Sequence, residues 1–264
     1  MAQLPDSEEL SRIVIEAAQG ELLPRFAQTA YRDKSDGSLV SEADTAMQRR
    51  LQQALAATWP GYAFLGEEMT AGQQRQLLSA AGEGLWCLDP LDGTSNFITG
   101  LPFFAVSLAL LQHGQPVLGL VYDPVRGECF TAMKAQGAWL NGSRLKLQPP
   151  ATTLSASIAV VDFKRLPAAL GARLGQAPPF RSQRNFGSTA LEWCWLAAGR
   201  YQLYVHGRQK LWDYAAGYLI LGEAGGHAVT LSGEPLITPE LGDRSVMAAQ
   251  DARLLADWRA WLGG

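Results

Sequence analysis

The stretch Leu85-Trp86-Cys87-Leu88-Asp89-Pro90-Leu91-Asp92-Gly93-Thr94-Ser95-Asn96-Phe97 constrains this chain more than any other. It opens as a buried apolar strand, then places two carboxylates three residues apart on either side of a proline, then turns through Gly-Thr-Ser. Strand side chains alternate and Pro90 fixes its own φ, so Asp89 and Asp92 sit at a bend where both can face one point. Oxygen-only ligands at short spacing suit a hard cation such as Mg²⁺ rather than zinc. Gly93 to Asn96 offer backbone N–H groups, and the positive end of a helical turn starting there would hold a phosphate. A metal site beside a phosphate site implies phosphoryl chemistry.

The rest of the composition narrows the class. At 264 residues, 47% hydrophobic and 18% charged, the chain has material for one large domain or two lobes sharing a core. A formal net charge of -3 and a pI near 5.7 exclude a global basic field for nucleic acid. Cys87, Cys129 and Cys194 have apolar neighbours and no CxxC pairing, which reads as buried thiols in a reducing compartment. Met1 to Asp6 shows no basic segment leading into an apolar one, and no run approaches the roughly eighteen apolar residues of a membrane span. The expected location is the cytoplasm, with no membrane partner. Asn141-Gly142-Ser143 matches a glycosylation sequon but reads better as a tight hairpin turn between apolar stretches.

Along the chain, Asp6 or Ser7 caps a first helix with Leu10, Ile13, Val14, Ala17 and Ala18 on one face. Tyr31 to Ser38 reads as a polar surface loop turning at Asp36-Gly37, a type of segment that also serves as a mobile lid. Ser41-Glu42-Ala43-Asp44 has the form of a capping box opening a helix along Met47, Leu51 and Leu55. Asp44 thus has a sufficient structural role against the helix dipole, worth ~0.5 kcal/mol, and its catalytic reading needs independent support. Tyr62 to Gly66 is a short strand ending in Glu67-Glu68, either a solvated strand end or the place where an α/β site collects ligands, followed by a polar helix from Gln73 to Ala81.

Antiparallel strands follow over Phe103–Leu111, Val117–Tyr122, Glu128–Lys134, Ala138–Leu140 and Leu145–Leu147. The Pro-rich segment Gln148 to Thr153 is the expected lobe boundary, dividing an N-terminal lobe (1–148) from a C-terminal lobe (149–264) that supplies Asp213, the two forming one catalytic unit. In the second half, strands at Ser157–Val161, Tyr201–Val205, His227–Leu231 and Ser245–Ala249 alternate with helices at Arg165–Leu174, Ser188–Ala198, Leu211–Ala224 and Asp251–Leu262. This alternation implies an α/β fold with helices layered on a mixed sheet.

The central motif and its satellites resemble the inositol monophosphatase family of Mg²⁺-dependent, lithium-sensitive phosphatases over nearly the whole chain. Asp89-Pro90-Leu91-Asp92-Gly93-Thr94 matches the family's aspartate-proline-(isoleucine or leucine)-aspartate-glycine-threonine motif without departure. Gly66-Glu67-Glu68, Trp212-Asp213-Tyr214-Ala215-Ala216-Gly217 and Val40-Ser41-Glu42-Ala43-Asp44 are similar to its other signatures, with Ser41 where threonine is more usual. The resemblance implies a layered αβαβα sandwich, usually dimeric, and two to three Mg²⁺ ions. It implies that Glu67, Asp89 and the carbonyl of Leu91 hold one ion, Asp89, Asp92 and Asp213 a second, and that Glu67 reaches a third through water. It also implies that Gly93, Thr94 and the following Ser95 meet phosphate, and that Asp44 with Thr94 orients and deprotonates the attacking water. Crowding agrees: two carboxylates about 4 Å apart repel by roughly 4 kcal/mol at an effective dielectric near 20, and divalent ions remove that repulsion.

The implied substrate is a small phosphate ester. Inositol phosphatases of the family usually carry a glutamate seven residues before the tryptophan-motif aspartate, and here that position is His206, within a basic segment containing Arg208 and Lys210. Either His206 and Arg208 contact substrate, with the basic groups meeting a second anion, or His206 ends a strand and the cations face water. Relatives acting on histidinol phosphate, fructose bisphosphate, nucleotide 3′-phosphates or NADP remain alternatives to inositol 1-phosphate, although Asn96-Phe97 resembles the inositol branch. A different class, a regulatory partner of the transcription or translation machinery, also exists among bacterial relatives.

Overall fold

The structure, a computed structural model, describes residues 4–34, 39–80, 84–148, 152–238 and 242–263. Its first layer is a helix pair: α1 (Ser7–Glu21), capped by Asp6, and α2 (Glu42–Thr58), capped by Ser41. The apolar stripe expected on α1 is buried, as are Met47, Leu51 and Leu55 of α2.

These helices cover one face of a seven-stranded sheet. Its strands, in spatial and chain order, are β3 (Ala63–Gly66), β4 (Leu85–Asp92), β5 (Ala105–Gln112), β6 (Gln115–Asp123), β7 (Glu128–Met133), β8 (Gly137–Leu140) and β9 (Ser143–Leu145). Only β3 and β4 run parallel, connected through α3 (Ala71–Ala80). All eight residues of β4 are buried because alternate side chains enter different layers. Trp86 and Leu88 pack with α1 and α2, whereas Leu85 and Cys87 pack with the opposite layer, α6 (Thr189–Ala197) and α7 (Leu211–Ala224).

The far side of α6 and α7 meets a second sheet of five strands, in the order β11 (Ser182–Arg184), β10 (Ile158–Asp162), β12 (Leu203–Gln209), β14 (Arg244–Ala249) and β13 (His227–Val229). Val160, Tyr204, Val246 and Ala248 face α6 and α7, while Val161, Val205 and Met247 face the outer layer, where α5 (Ala168–Gln176) and α8 (Ala252–Gly263) contribute Leu174, Leu254 and Trp258. The result is the αβαβα order expected above. The central layer is tight: a Cβ on Gly119 of β6 would stand 2.9 Å from the Ala216 carbonyl oxygen, and one on Gly217 would stand 2.3 Å from Trp193 Cβ. Glycine at both positions lets α7 lie close to its neighbours.

Several local expectations change. Tyr31–Asp33 is not plain loop: it forms β1, paired antiparallel with β2 (Leu39–Ser41), and the turn at Asp36-Gly37 lies outside the described residues. Strand β9 starts at Ser143 because Asn141 (φ 47°) and Gly142 (φ 77°) form a two-residue turn that sets Ser143 opposite Leu140. Helix α5 begins after Pro167 rather than at Arg165, since Phe163–Arg165 forms a 3-10 turn. Strand β11 is polar and three residues long, so no alternation announced it. Of the expected lobe boundary, residues 149–151 lie outside the described residues, as does Ala81.

Candidate active site

The site begins at the C-terminal end of β4. Side chains at i and i+3 of a regular strand point to opposite faces, yet Asp89 and Asp92 are electrostatic neighbours. The pairing explains it: Asp89 is opposite Ser107 and Asp92 opposite Ala105, a register shift spanning Pro90 and Leu91. Pro90 has no N–H for a ladder, and the irregularity re-aims one carboxylate. The Leu91 N–H donates to Asp89 Oδ1 (3.0 Å), tightening the bend. Gly93 then adopts φ 92°, a left-handed conformation costly for other residues, and starts α4 (Thr94–Thr99). As first-turn residues, Thr94 and Ser95 have N–H groups without intrahelical acceptors.

Glu67 arrives from the neighbouring parallel strand. Its N–H donates to the Leu88 carbonyl (3.0 Å), continuing the β3–β4 ladder and setting Glu67 beside Asp89. The Gln74 amide from α3 donates to the carbonyls of Gly66 (3.0 Å) and Glu67 (3.1 Å), so the strand end is fixed from behind.

Two further carboxylates, and Asp92 itself, are held by helix N-termini. Asp44 is the third residue of α2, only 1% exposed, and its Oδ2 accepts from the N–H (2.7 Å) and the Oγ–H (2.6 Å) of Ser41. Asp213 is the third residue of α7, and its Oδ2 accepts from the Lys210 N–H (2.8 Å). Asp92 Oδ2 accepts from the Ala190 N–H (2.8 Å) in the first turn of α6 and from the Ser188 hydroxyl. Helix N-termini stabilise negative charge, so this construction keeps buried acids in place.

Thr94 bridges the two halves. Its Oγ1 lies 3.1 Å from Asp44 Oδ1 and 3.0 Å from the Leu91 carbonyl, and one hydroxyl proton can serve only one of them at a time. The catalytic reading of Asp44, which its capping role alone left open, gains this contact across 50 residues of sequence.

Crowding is visible in proton affinity. Burial first, then the charges of Glu67, Asp92 and Asp213, push the Asp89 carboxyl well above its ordinary value. Asp213 is raised in the same sense by burial, Asp92 and Glu67. Burial carries Asp92 up to about 6 against the pull of Ser188 and Ala190, and Asp44 is raised by burial too. Glu67, Asp89, Asp92 and Asp213 therefore share one locality with too little positive charge.

A cation from the polar segment that follows β1 is drawn into this locality. Lys34, just after β1, sets Nζ 2.7 Å from Glu67 Oε1 and 2.6 Å from Glu68 Oε1. Burial lowers its proton affinity, but the two glutamates outweigh that and the net change is a rise. Among the described residues, no three His, Cys, Asp or Glu side chains are set to hold a metal ion as they stand. The donor set nevertheless fits a hard divalent ion: every ligand atom is oxygen, the carboxylates repel, and an ammonium already sits on one of them. A cleft of about 330 Å³ lined by Asp33, Lys34, Glu67 and Glu68 opens there.

His206 and Arg208, the expected substrate contacts, both have partners within the chain. His206 is 1% exposed; its Nδ1 accepts from the Arg208 N–H (3.1 Å) and its Nε2 lies 3.2 Å from Asp162 Oδ2. With Nδ1 accepting, the ring is neutral and its Nε2–H faces Asp162. Burial pushes its proton affinity down against the pull of Asp162. As placed, the buried ring takes Asp162 as its hydrogen-bonding partner. Arg208 and Lys210 both pair with Asp243, at 3.3 and 2.5 Å. Arg165, unremarked in the sequence, lies closer to the cluster: its charge reaches Asp213, and its Nη1 is 3.4 Å from His206 Nε2.

Comparison with known proteins agrees with this geometry. The inositol monophosphatase family model matches residues 6–260. Inositol monophosphatase 2 of Solanum lycopersicum is 36% identical over 236 residues, covering 86% of this chain and 89% of its own. The Nus factor SuhB of Pasteurella multocida is 33% identical over 204 residues, covering 76% and 74%. Among solved structures, an IMPase of Thermotoga maritima superposes with a TM-score of 0.82 at 27% identity, covering 97% of this chain and 95% of that one. By motif order, layered architecture and these matches, the chain belongs to the inositol monophosphatase family, a family of phosphatases.

Proposed function

We propose that this protein is a Mg²⁺-dependent phosphate monoester hydrolase acting on inositol 1-phosphate or a related small phosphate ester. The observation that carries the reading is the meeting of Glu67, Asp89, Asp92 and Asp213 beside the Asp44–Thr94 contact. Glu67, Asp89 and the Leu91 carbonyl would hold one ion, and Asp89, Asp92 and Asp213 a second, with Glu67 reaching a third. Bound Mg²⁺ supplies charge neutralisation and acidifies water. The chain's own contribution is orientation. Thr94, donating to Asp44, keeps lone pairs to accept from an attacking water, and Asp44 takes up the proton released through it. The N–H groups of Gly93, Thr94 and Ser95 meet phosphate oxygens. The test is a Mg²⁺-dependent phosphate-release screen over inositol phosphates, sugar phosphates, histidinol phosphate, nucleotide phosphates and NADP, with Li⁺ inhibition as a second readout. Absence of release with every ester overturns the reading.

The Asp162–His206 pair favours a substrate other than inositol phosphate within the same chemistry. The position usually carrying a carboxylate for ring hydroxyls holds a ring already engaged by Asp162, and Arg165 offers a cation nearby. An ester bearing a second anionic group fits that charge better than a neutral polyol. In the screen, a higher kcat/KM for a bisphosphate than for inositol 1-phosphate supports this.

The relationship to a Nus factor supports a regulatory role beside catalysis, tested by affinity capture of RNA polymerase and ribosomal components with wild type and Asp89→Asn. We further read the chain as two lobes, 1–148 and 149–264, closing one catalytic unit, and as a cytoplasmic homodimer. Three buried free thiols support the compartment, and no helix among the described residues is long and apolar enough to cross a membrane. Sedimentation tests the assembly.

A further inference from the structure

One buried carboxylate has no part in the chemistry above. Glu192 lies in α6, 2% exposed. Burying a charged group is costly unless its hydrogen bonds are needed. Its Oε1 accepts the N–H groups of Phe186 (3.0 Å) and Gly187 (3.1 Å). From the other side, the Asn96 amide donates to the Phe186 carbonyl (2.7 Å) and the Phe103 carbonyl (2.8 Å). Gly187 has φ 77°, and a Cβ there would stand 3.2 Å from the Asn96 amide nitrogen. The segment entering α6 is thus gripped from two directions.

That grip delivers Ser188. A serine at this position ordinarily accepts from its own helix's N–H groups, but Ser188 makes no such bond. Its hydroxyl instead donates to Asp92 Oδ2, the atom that also receives the Ala190 N–H. Asp92, 98 residues earlier than Ala190, takes the capping position at the start of α6.

We infer that Glu192 is a positioning residue for Asp92: by holding Phe186 and Gly187 it aims Ser188 and the first turn of α6 at Oδ2 and so fixes the orientation in which the carboxylate meets a cation. This rests on the proposed metal role of Asp92. Without the grip, Ser188 loses its direction and Asp92 can rotate. Groups that orient a metal ligand typically change metal affinity by roughly 10–100-fold when removed.

The experiment uses the full chain with Mn²⁺ as probe, followed by electron paramagnetic resonance of free Mn²⁺ without substrate, and thermal unfolding in parallel. Glu192→Ala and Ser188→Ala should each weaken Mn²⁺ binding by roughly 10–100-fold. The double variant should lose no more than the weaker-binding single, because both act on one ligand. Glu192→Gln, which keeps the acceptor oxygen, should bind Mn²⁺ like wild type. Unchanged Mn²⁺ affinity in Glu192→Ala with only a lower Tm overturns the inference, as do additive losses in the double variant. If Glu192→Ala does not fold, a loss in Glu192→Gln matching that of Ser188→Ala overturns it equally. Wild type that binds no Mn²⁺ and releases no phosphate instead removes the reading of the site, and this inference with it.

Discussion

Two neighbouring groups of carboxylates treat charge in opposite ways. At the β4 end, Glu67, Asp89, Asp92 and Asp213 crowd one sign of charge, relieved by helix N-termini and by Lys34. At the β12 end, Asp162 meets His206, and Asp243 meets Arg208 and Lys210, so each carboxylate has its partner within the chain. The first arrangement leaves repulsion that the chain's own cations only partly relieve, whereas the second pairs each carboxylate. A locality whose charges fail to balance internally is where an ionic cofactor has most to gain, because every repulsion it removes adds to its affinity.

The sharpest way to break this comparison is to change the number of acids. Asp89→Asn should abolish Mg²⁺-dependent phosphate release while the protein remains folded by circular dichroism, and near-normal turnover would remove the metal assignment. Next comes Thr94→Ala, expected to lower kcat by roughly 10²–10⁴-fold, the range of a positioned acid–base contact, with a smaller change in KM. Steady-state kinetics at saturating Mg²⁺ separate the two.

The pH response of the metal-free protein sharpens the contrast. Asp92 is raised from 3.8 to about 6 and Glu192 from 4.5 to about 7, both through burial. An acid whose folded value lies above its unfolded one binds its proton more tightly when folded. Its contribution to stability is complete below the unfolded value and is lost as pH rises through the folded one. The metal-free protein should therefore lose stability between about pH 4 and pH 7. At one pKa unit per 1.36 kcal/mol, Asp92 alone corresponds to roughly 3 kcal/mol. Urea midpoints measured across that range check the sign, and added Mg²⁺ should flatten the slope.

The β12 end should respond less. Asp162→Asn leaves the buried His206 with a poorer acceptor and should cost about 1–3 kcal/mol of stability. Arg208→Ala, at an exposed pair, should change stability by about 0–1 kcal/mol. A large loss from the second would show that the ion pairs with Asp243 carry more than surface charge.

The site was partly legible in the chain because several of its groups are local. Asp89, Leu91, Asp92, Gly93 and Thr94 lie within one bend, and the Ser41–Asp44 capping box is a four-residue pattern that the structure reproduces. Lys34 was read as loop because a single cation in a polar segment has no periodicity to mark it. Ser188 reads as an ordinary helix-start residue, and only its contact with a carboxylate almost a hundred positions away shows what it holds. Arg165 was hidden for the same reason, being close to Asp213 in space alone.

By itself the sequence determined helices layered on a mixed sheet, since the buried β4 and the apolar stripe of α1 follow from side-chain periodicity, a property of neighbouring residues, while the full αβαβα order came with the family resemblance. It also brought Asp89 and Asp92 together through the spacing of one short motif, while Glu67, Asp213 and Asp44 joined them only through the family resemblance. Only the tertiary structure decided which atoms those acids leave open, which cation sits among them, and that His206 turns to Asp162. Those outcomes depend on distances between segments far apart in the chain. The energy of a charge depends on everything within a few ångströms of it, wherever that neighbour lies in sequence.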